Sequence, residues 1–318
     1  MPENKIPKIV VLGSINLDIV IQCAHLPSPG ETIIAESSRE VSGGKGANQA
    51  VAAARLGADV SMIGRVGNDD AGAGLLNNLQ ADGINTDYVY HSQPPASDTE
   101  IASGIAVVMV EQSGENSIVV VPGANGIVSE EDIDHAASII QQCDLLLVQL
   151  EIPVETVLYA SQIARQAGVR IILDPAPAPN NVPDRFFDVD LICPNQSEAS
   201  LLLGWSVETM TEAKAASREL IERGAKNAII TMGNQGAVLC ENSAVTVIPP
   251  CPVETVDSTA AGDAFAGAVA VRWIEQKSLV NATQFACAAG ALAAAKAGAQ
   301  PGMPTRNEVE RFMNQTER

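Results

Sequence analysis

From Ser129 onward the chain repeats one pattern three times, a helical stretch followed by a short apolar run. The stretches 129–142, 153–167 and 211–223 lead into LLLVQL, VRIILD and NAIITMG. A strand that is apolar on both sides must be covered on both sides, and strands joined through helices run parallel. The pattern therefore predicts an α/β fold, a doubly wound, mostly parallel sheet flanked by helices. The opening IVVLGSINLD fits the same sheet as a buried strand running into a turn. GANQAVAAARLG from Gly46 reads as an alanine-rich helix stopped by Gly57. Val60–Ile63 reads as a strand, Ala71–Gln80 as a helix, and the tail from Gly262 as almost entirely helical.

Two stretches depart from this rhythm. After residue 16 an alternating run passes through the turn-forming LPSPGE at 26–31 to a short strand at Ile33 and Ile34. Farther on, IASGIAVVMVE and SIVVVPG flank QSGEN, which predicts a hairpin turning at Gly114. Together they make a small antiparallel β lid of residues 16–42 and 101–121, leaving 1–15, 43–100 and 122–318 for the α/β domain. PAPAP at 175–179 follows Asp174 at a strand end, on the side where parallel sheets bind ligands.

Charge and composition exclude some partners. With 38 acidic and 19 basic residues the net charge is −19, so the overall field repels nucleic acid and anionic membrane. At 3% aromatic residues there is little to build a base-stacking platform. Lys5 and Lys8 precede only IVVLG, so neither a signal peptide nor a membrane span is expected. Six cysteines without a Cys-x-x-Cys pair read as reduced thiols of a cytoplasmic protein. A polyphosphate bound to such an acidic chain must be neutralised locally, by backbone dipoles and metal ions.

Five segments carry candidate chemistry. In VDSTAAGDAFAGA at 256–268, small residues Ala260, Ala261 and Gly262 open a helix whose free N–H groups form an anion site. Asp263 in its first turn is either a general base or an acidic residue that merely suits the helix dipole, and this segment leaves the two even. In VSGGKGANQA at 41–50, Gly46 follows Lys45 where a P-loop needs Ser or Thr. Gly43, Gly44 and Gly46 permit close backbone approach to a ligand, and Asn48 can pair with hydroxyls; a glycine-rich helix start is the alternative. In GSINLD, Asn16 and Asp18 are two apart and can face vicinal hydroxyls together, although such residues are common where strands turn. In CPNQSEA, Asn195 and Glu198 either organise water around Mg2+ or cap a helix. In ITMGNQG at 230–236, a strand end with Gly233 and Gly236 suits phosphates or a simple turn.

Taken together these segments resemble the ribokinase family of carbohydrate kinases. GSINLD, GGKGANQA, QLE at 149–151, PNQSEA, ITMGNQG, AAGDAF and KAGAQPG at 296–302 stand in the family's order over nearly the whole chain. The resemblance implies ATP-dependent phosphorylation of D-ribose at its 5-hydroxyl, giving ribose 5-phosphate and ADP. It implies Asp263 as the base, with Ala260, Ala261 and Gly262 as the anion hole. It implies sugar contacts from Asn16, Asp18, Gly44, Lys45, Asn48 and Glu151. It places Asn195 and Glu198 by Mg2+ and phosphate, and Thr231, Gly233, Gly236, Gly262 and Cys287 along ATP. An activating K+ would lie by Asp257 and Thr259 and the backbone of Ala293, Lys296, Gly298 and Gly302. It also implies a homodimer formed through the lids. Gly302 stands where the family often has Ser, Cys287 where a polar residue such as His is common, and Ser103 where Thr is expected. HSQPPASDTEIASG at 91–104 is longer than the family's usual link. Kinases of deoxyribose, fructose or nucleosides share the frame, and a non-catalytic sugar sensor would have no use for Asp263. A dinucleotide oxidoreductase is the weaker reading, because the phosphate fingerprint Gly-x-Gly-x-x-Gly does not follow the first strand.

Overall fold

Alternate residues of β1 (Lys8–Leu12) enter two separate cores of the computed structural model, which describes residues 5–92, 101–111, 116–179 and 182–316. Ile9 and Val11 join Ala50, Val269 and Phe285 on one side, whereas Val10 and Leu12 join Ile133, Val157 and Leu220 on the other. That is what a strand apolar on both faces requires. The chain continues through β2 (Asn16–Cys23), β3 (Ser37–Gly43), α1 (Lys45–Arg55), β4 (Asp59–Val66), α2 (Asp70–Ala81) and β5 (Asn85–His91). The middle third holds β6 (Gly104–Glu111), β7 (Asn116–Val121), α3 (Glu130–Gln142), β8 (Leu145–Val148), α4 (Val154–Gln166) and β9 (Arg170–Leu173). Then come β10 (Leu191–Ile192), α5 (Gln196–Leu203), α6 (Met210–Glu222), β11 (Asn227–Thr231), β12 (Ala237–Glu241) and β13 (Ala244–Ile248). The tail is α7 (Ala261–Gln276), α8 (Leu279–Ala294), α9 (Ala299–Gly302) and α10 (Arg306–Thr316).

The large sheet has the order β13-β12-β11-β10-β9-β8-β1-β4-β5. It is parallel from β11 to β5, and β12 and β13 add an antiparallel hairpin at one edge. Asn242 and Ser243 turn that hairpin with φ of 50° and 65°, the left-handed pair that matches strand twist.

The second sheet has the order β3-β2-β6-β7. Its outer pairs, β2–β3 and β6–β7, are antiparallel as expected, while the central β2–β6 pairing is parallel. The strand expected at Ile33 and Ile34 does not form; residues 31–35 have no regular structure and Ile34 is 94% exposed. An apolar pair with nothing to pack against supplies no reason to extend. The strand of this arm is instead SSREVSG of β3, a polar segment held by its ladder with β2. The hairpin turn at Gly114 and residues 93–100 of the 91–104 link lie outside the described residues. Among the described residues no helix is long and apolar enough to cross a membrane.

Candidate active site

The parallel strands end on one edge of the large sheet, and the ends of β1, β8, β9, β10 and β11 bring side chains there. After β1 the chain turns through Gly13–Ile15 into β2, which starts at Asn16. Asn125 fixes that turn: it accepts from the Ile15 N–H at 2.9 Å and donates to Ile15 O at 3.1 Å and Asn16 Oδ1 at 2.7 Å. After β8, Glu151 accepts from Ser14 Oγ at 2.5 Å, from the Lys45 N–H at 3.3 Å and from Asn16 Nδ2 at 3.5 Å. The start of α1 thus meets the end of β1, and two glycines allow it. Gly44 has φ +88°, and a Cβ on Gly46 would lie 2.6 Å from the backbone of Gly13.

Asp263 reaches the same place from the far end of the sequence. It lies in the first turn of α7 and is 4% exposed. Its Oδ2 accepts from Asn48 Nδ2 at 3.0 Å and its Oδ1 from Gln49 Nε2 at 3.1 Å. Gln49 Nε2 also donates to Asp174 Oδ2 at 2.7 Å, and Gln49 Oε1 accepts from Gln149 Nε2 at 2.6 Å. Three buried oxygens here have no partner: Asp18 Oδ1, Asn48 Oδ1 and Gln149 Oε1. Buried acceptors without partners are costly, and ligand hydroxyls would satisfy those of Asp18 and Asn48. Burial pushes the Asp18 carboxyl up to about 7, helped by Glu151 and then Asp263. Burial likewise raises Asp263, opposed by Lys45 and by the N–H bonds from Asn48 and Gln49.

A pocket beside Asp263 is lined by Lys45, Asp174, Glu198, Thr231 and Gly262. Lys45, expected among sugar contacts, therefore borders the helix start of α7. Burial works against its charge, but Asp263, Asp174, Glu151 and Glu198 hold the ammonium above the ordinary lysine range. Ala260, the cap of α7, has the left-handed φ of 59°. The Ala261 N–H is engaged by Ser258 O at 3.2 Å, so Gly262 and Asp263 carry the next N–H groups of the helix start. Asn195 and Glu198 form a reciprocal capping box at α5, with bonds of 2.8 and 2.9 Å, and both line the pocket. The capping role and a pocket-facing position thus coexist.

Other expected positions fall elsewhere. Gly236 has a packing reason, since a Cβ would lie 2.1 Å from Ile248 O, whereas Gly233 faces open space. Cys287 is half-buried on α8 and does not line the Asp263 pocket; burial, then its neighbour Cys251, pushes its thiol up to about 12. Asp257 accepts from the N–H groups of Thr259 at 2.9 Å and Gly298 at 2.8 Å, which ties the approach to α7 to the loop after α8. Gly302 supplies no hydroxyl there, and a Cβ on it would lie 3.3 Å from Ala293 O and 3.6 Å from Lys296 O. Those two carbonyls open onto the space a side chain would fill. Ser103 Oγ donates to Asp69 Oδ1 at 2.7 Å and accepts from the Gly67 N–H at 2.9 Å, anchoring the entry to β6 against the start of α2.

Ser14, Gln49, Asn125 and Gln149 were not singled out by the motifs, and Asp174 was placed at the ligand-binding end of its strand without a role. Gln49 and Gln149 sit inside GGKGANQA and QLE, so adjacency to a motif was the available signal. Asn125 had none, because its partners lie about 110 residues away.

A family model described as pfkB family carbohydrate kinase matches residues 6–306. The ribokinase of Bacillus subtilis is 42% identical over 306 residues, covering 96% of this chain and 99% of the relative. A bifunctional ribokinase/ribose-5-phosphate isomerase A of Fructilactobacillus sanfranciscensis is 40% identical over 311 residues, 97% of this chain but only 56% of that longer protein. Among solved structures, the ribokinase of Arabidopsis thaliana complexed with ribose and ATP aligns with a TM-score of 0.86 at 33% identity, over 97% of this chain and 99% of that one. With a family match over nearly its full length and relatives at 40% and 42% identity, the chain belongs to the pfkB family of carbohydrate kinases.

Proposed function

We propose that this chain transfers the γ-phosphoryl group of ATP to the 5-hydroxyl of D-ribose, giving ribose 5-phosphate and ADP. One observation carries the reading: a buried carboxylate, Asp263, stands at a helix start beside the unpartnered oxygens of Asp18 and Asn48. The relatives named ribokinase, and the solved one with ribose and ATP, support that pairing of substrates. Asp18, Asn16, Asn48 and Glu151 bind and orient the sugar. Asp263 takes the hydroxyl proton as the oxygen attacks the γ-phosphorus, and the bond to the bridging oxygen breaks to release ADP. Gly262 and Asp263 N–H groups, with the Lys45 ammonium, stabilise charge on the phosphoryl oxygens. Thr231 to Gly236 lie along the nucleotide.

Two cations fit this frame. Among the described residues no group of three or more His, Cys, Asp or Glu forms a metal cage. A Mg2+ would be held by water, phosphates, Asn195 and Glu198, the sparse protein ligation that ion favours. When bound it offsets phosphate charge. The oxygen set of Asp257, Ala293 and Lys296 suits a monovalent cation such as K+.

The second sheet acts as a lid over the sugar and as the contact between two subunits. The six cysteines are unpaired, which fits a reducing, cytoplasmic setting. The test is ATP consumption against ribose, deoxyribose, fructose, other hexoses and nucleosides, with the product identified by NMR. Preference for ribose with phosphate on its 5-oxygen supports the proposal, and turnover only with another acceptor overturns it.

A further inference from the structure

Behind Asp263 lies a layer of buried amide side chains. Gln49 and Gln149 are fully buried and Asp174 is 7% exposed. A carboxamide has one donor end and one acceptor end, so Gln49 could in principle be turned either way. Its partners all select the same way round. The nitrogen faces Asp174 Oδ2 at 2.7 Å and Asp263 Oδ1 at 3.1 Å, while the oxygen receives Gln149 Nε2 at 2.6 Å. Turned over, its oxygen would confront two carboxylates and its nitrogen another donor. Asp174 matters because its Oδ2, like Asp263 Oδ1, is an acceptor when the carboxyl is charged, so both select the nitrogen end of Gln49.

On the reading of Asp263 as base, we propose that Gln49 and Asp174 are its positioning residues. The one Nε2 group spans both carboxyls, so Asp174 draws one N–H and the other is left aimed at Asp263 Oδ1. With Asn48 on Oδ2, this fixes the rotation of the Asp263 carboxyl about its own axis and leaves a lone pair free for the sugar hydroxyl. The base then meets the proton in one orientation instead of sampling several.

The experiment compares Gln49→Met, Asp174→Asn and Asp174→Leu with Asp263→Asn as reference, all assayed with ribose and ATP and melted in parallel. Gln49→Met should lower kcat by about 10²-fold, the scale of a misplaced reacting group, with ribose and ATP KM little changed. The acid limb of its kcat profile should move to higher pH, because Asp263 loses an N–H that favours its charged form. Asp18, Lys45, Glu151, Asp174 and Glu198, the charged groups around it, stay in place in that variant. Asp174→Asn keeps an oxygen for the same N–H and should keep most of the turnover, whereas Asp174→Leu should fall as Gln49→Met does. Wild-type kcat and acid limb in Gln49→Met, beside an inactive Asp263→Asn, would overturn the positioning role alone. An active Asp263→Asn would overturn the reading of the base and this proposal with it. Where Gln49→Met does not fold, the two Asp174 variants decide, and equal kcat in both overturns the proposal.

Discussion

At the scale of single residues, the proposed chemistry rests on carboxylates held in unusual surroundings. Asp263→Asn is nearly isosteric and retains the start of α7, but it removes the proton acceptor. Turnover should fall roughly 10²–10⁴-fold, as for loss of a general base, with the melting temperature nearly intact. A residue serving only the helix dipole would give the reverse, about a kilocalorie of lost stability with turnover kept. Coupled-assay rates beside thermal melts separate the two. Asp18 makes a different prediction. Its carboxyl is raised to about 7 in the fold, by burial first, so the folded chain keeps a proton that the unfolded chain has already released. Stability is then lost as pH rises from the ordinary carboxylate range through about 7. The raised Asp174, Glu198 and Asp263 act in the same sense. The thermal midpoint of the ligand-free protein should fall from about pH 5 to pH 8, and more shallowly in Asp18→Asn. Parallel slopes would reject the assignment. Asp18, Asn48 and Asp263 were legible in sequence because glycine-rich turns and helix starts mark where a ligand can touch backbone. Asp174 was legible as a strand end on the ligand side, but its bond to Gln49 and that of Gln149 were not, since nothing local records that Gln49 needs partners 125 and 100 residues away.

At the scale of elements, the parallel strands and their helices were legible because burial on both faces writes an apolar run with polar ends. The β12–β13 hairpin was not picked out, although Asn242-Ser243 between two apolar runs is a turn signal. β3 could not be, because its polar residues are held by hydrogen bonds to β2 and not by a buried face. The turn into α7 supports two further predictions. Ala260 holds a left-handed φ of 59°, which costs a non-glycine residue about 1–2 kcal/mol. Glycine would remove that cost but return about 0.5–1 kcal/mol of chain entropy, so Ala260→Gly should be net stabilising by about half a kilocalorie. Chemical denaturation checks it, and a destabilised variant would mean that the Ala260 methyl contributes packing to the core it borders. Just upstream, Asp257 braces the same turn through the Thr259 and Gly298 N–H groups. A monovalent cation there should order the turn, so K+ should raise the rate over a large organic cation at equal ionic strength, and Asp257→Asn should blunt the response. Equal rates in both salts would remove the cation from the proposed function.

At the scale of the whole molecule, the second sheet carries exposed apolar residues on its edge strand. The register sets Leu17, Ile105 and Val121 in one row and Ile19, Val107 and Val119 in the next, all on one face. Val119 is 57% and Val121 54% exposed, and Ile118 and Val120 on the opposite face are 52% and 42% exposed. A sheet so apolar on a chain of net charge −19 is out of keeping with the rest of its surface, and contiguous exposed apolar rows mark contact sites. β7 is also an edge strand, with backbone groups open to pairing. In the proposed dimer a second copy of the sheet would cover it with a matching apolar face on a two-fold axis, the commonest closed arrangement. Because β2 in the same sheet carries Asp18, packing two such sheets together would also steady the sugar contact. Light scattering should therefore give a dimer at micromolar concentration. The double change Val107→Lys and Val119→Lys places charges in one row of the buried contact and should yield monomers. Those monomers should keep the melting behaviour of the large sheet but show a raised KM for ribose, with the KM for ATP changed far less. A wild-type monomer at assay concentration with full ribose affinity would show that the sheet closes over the sugar without a partner.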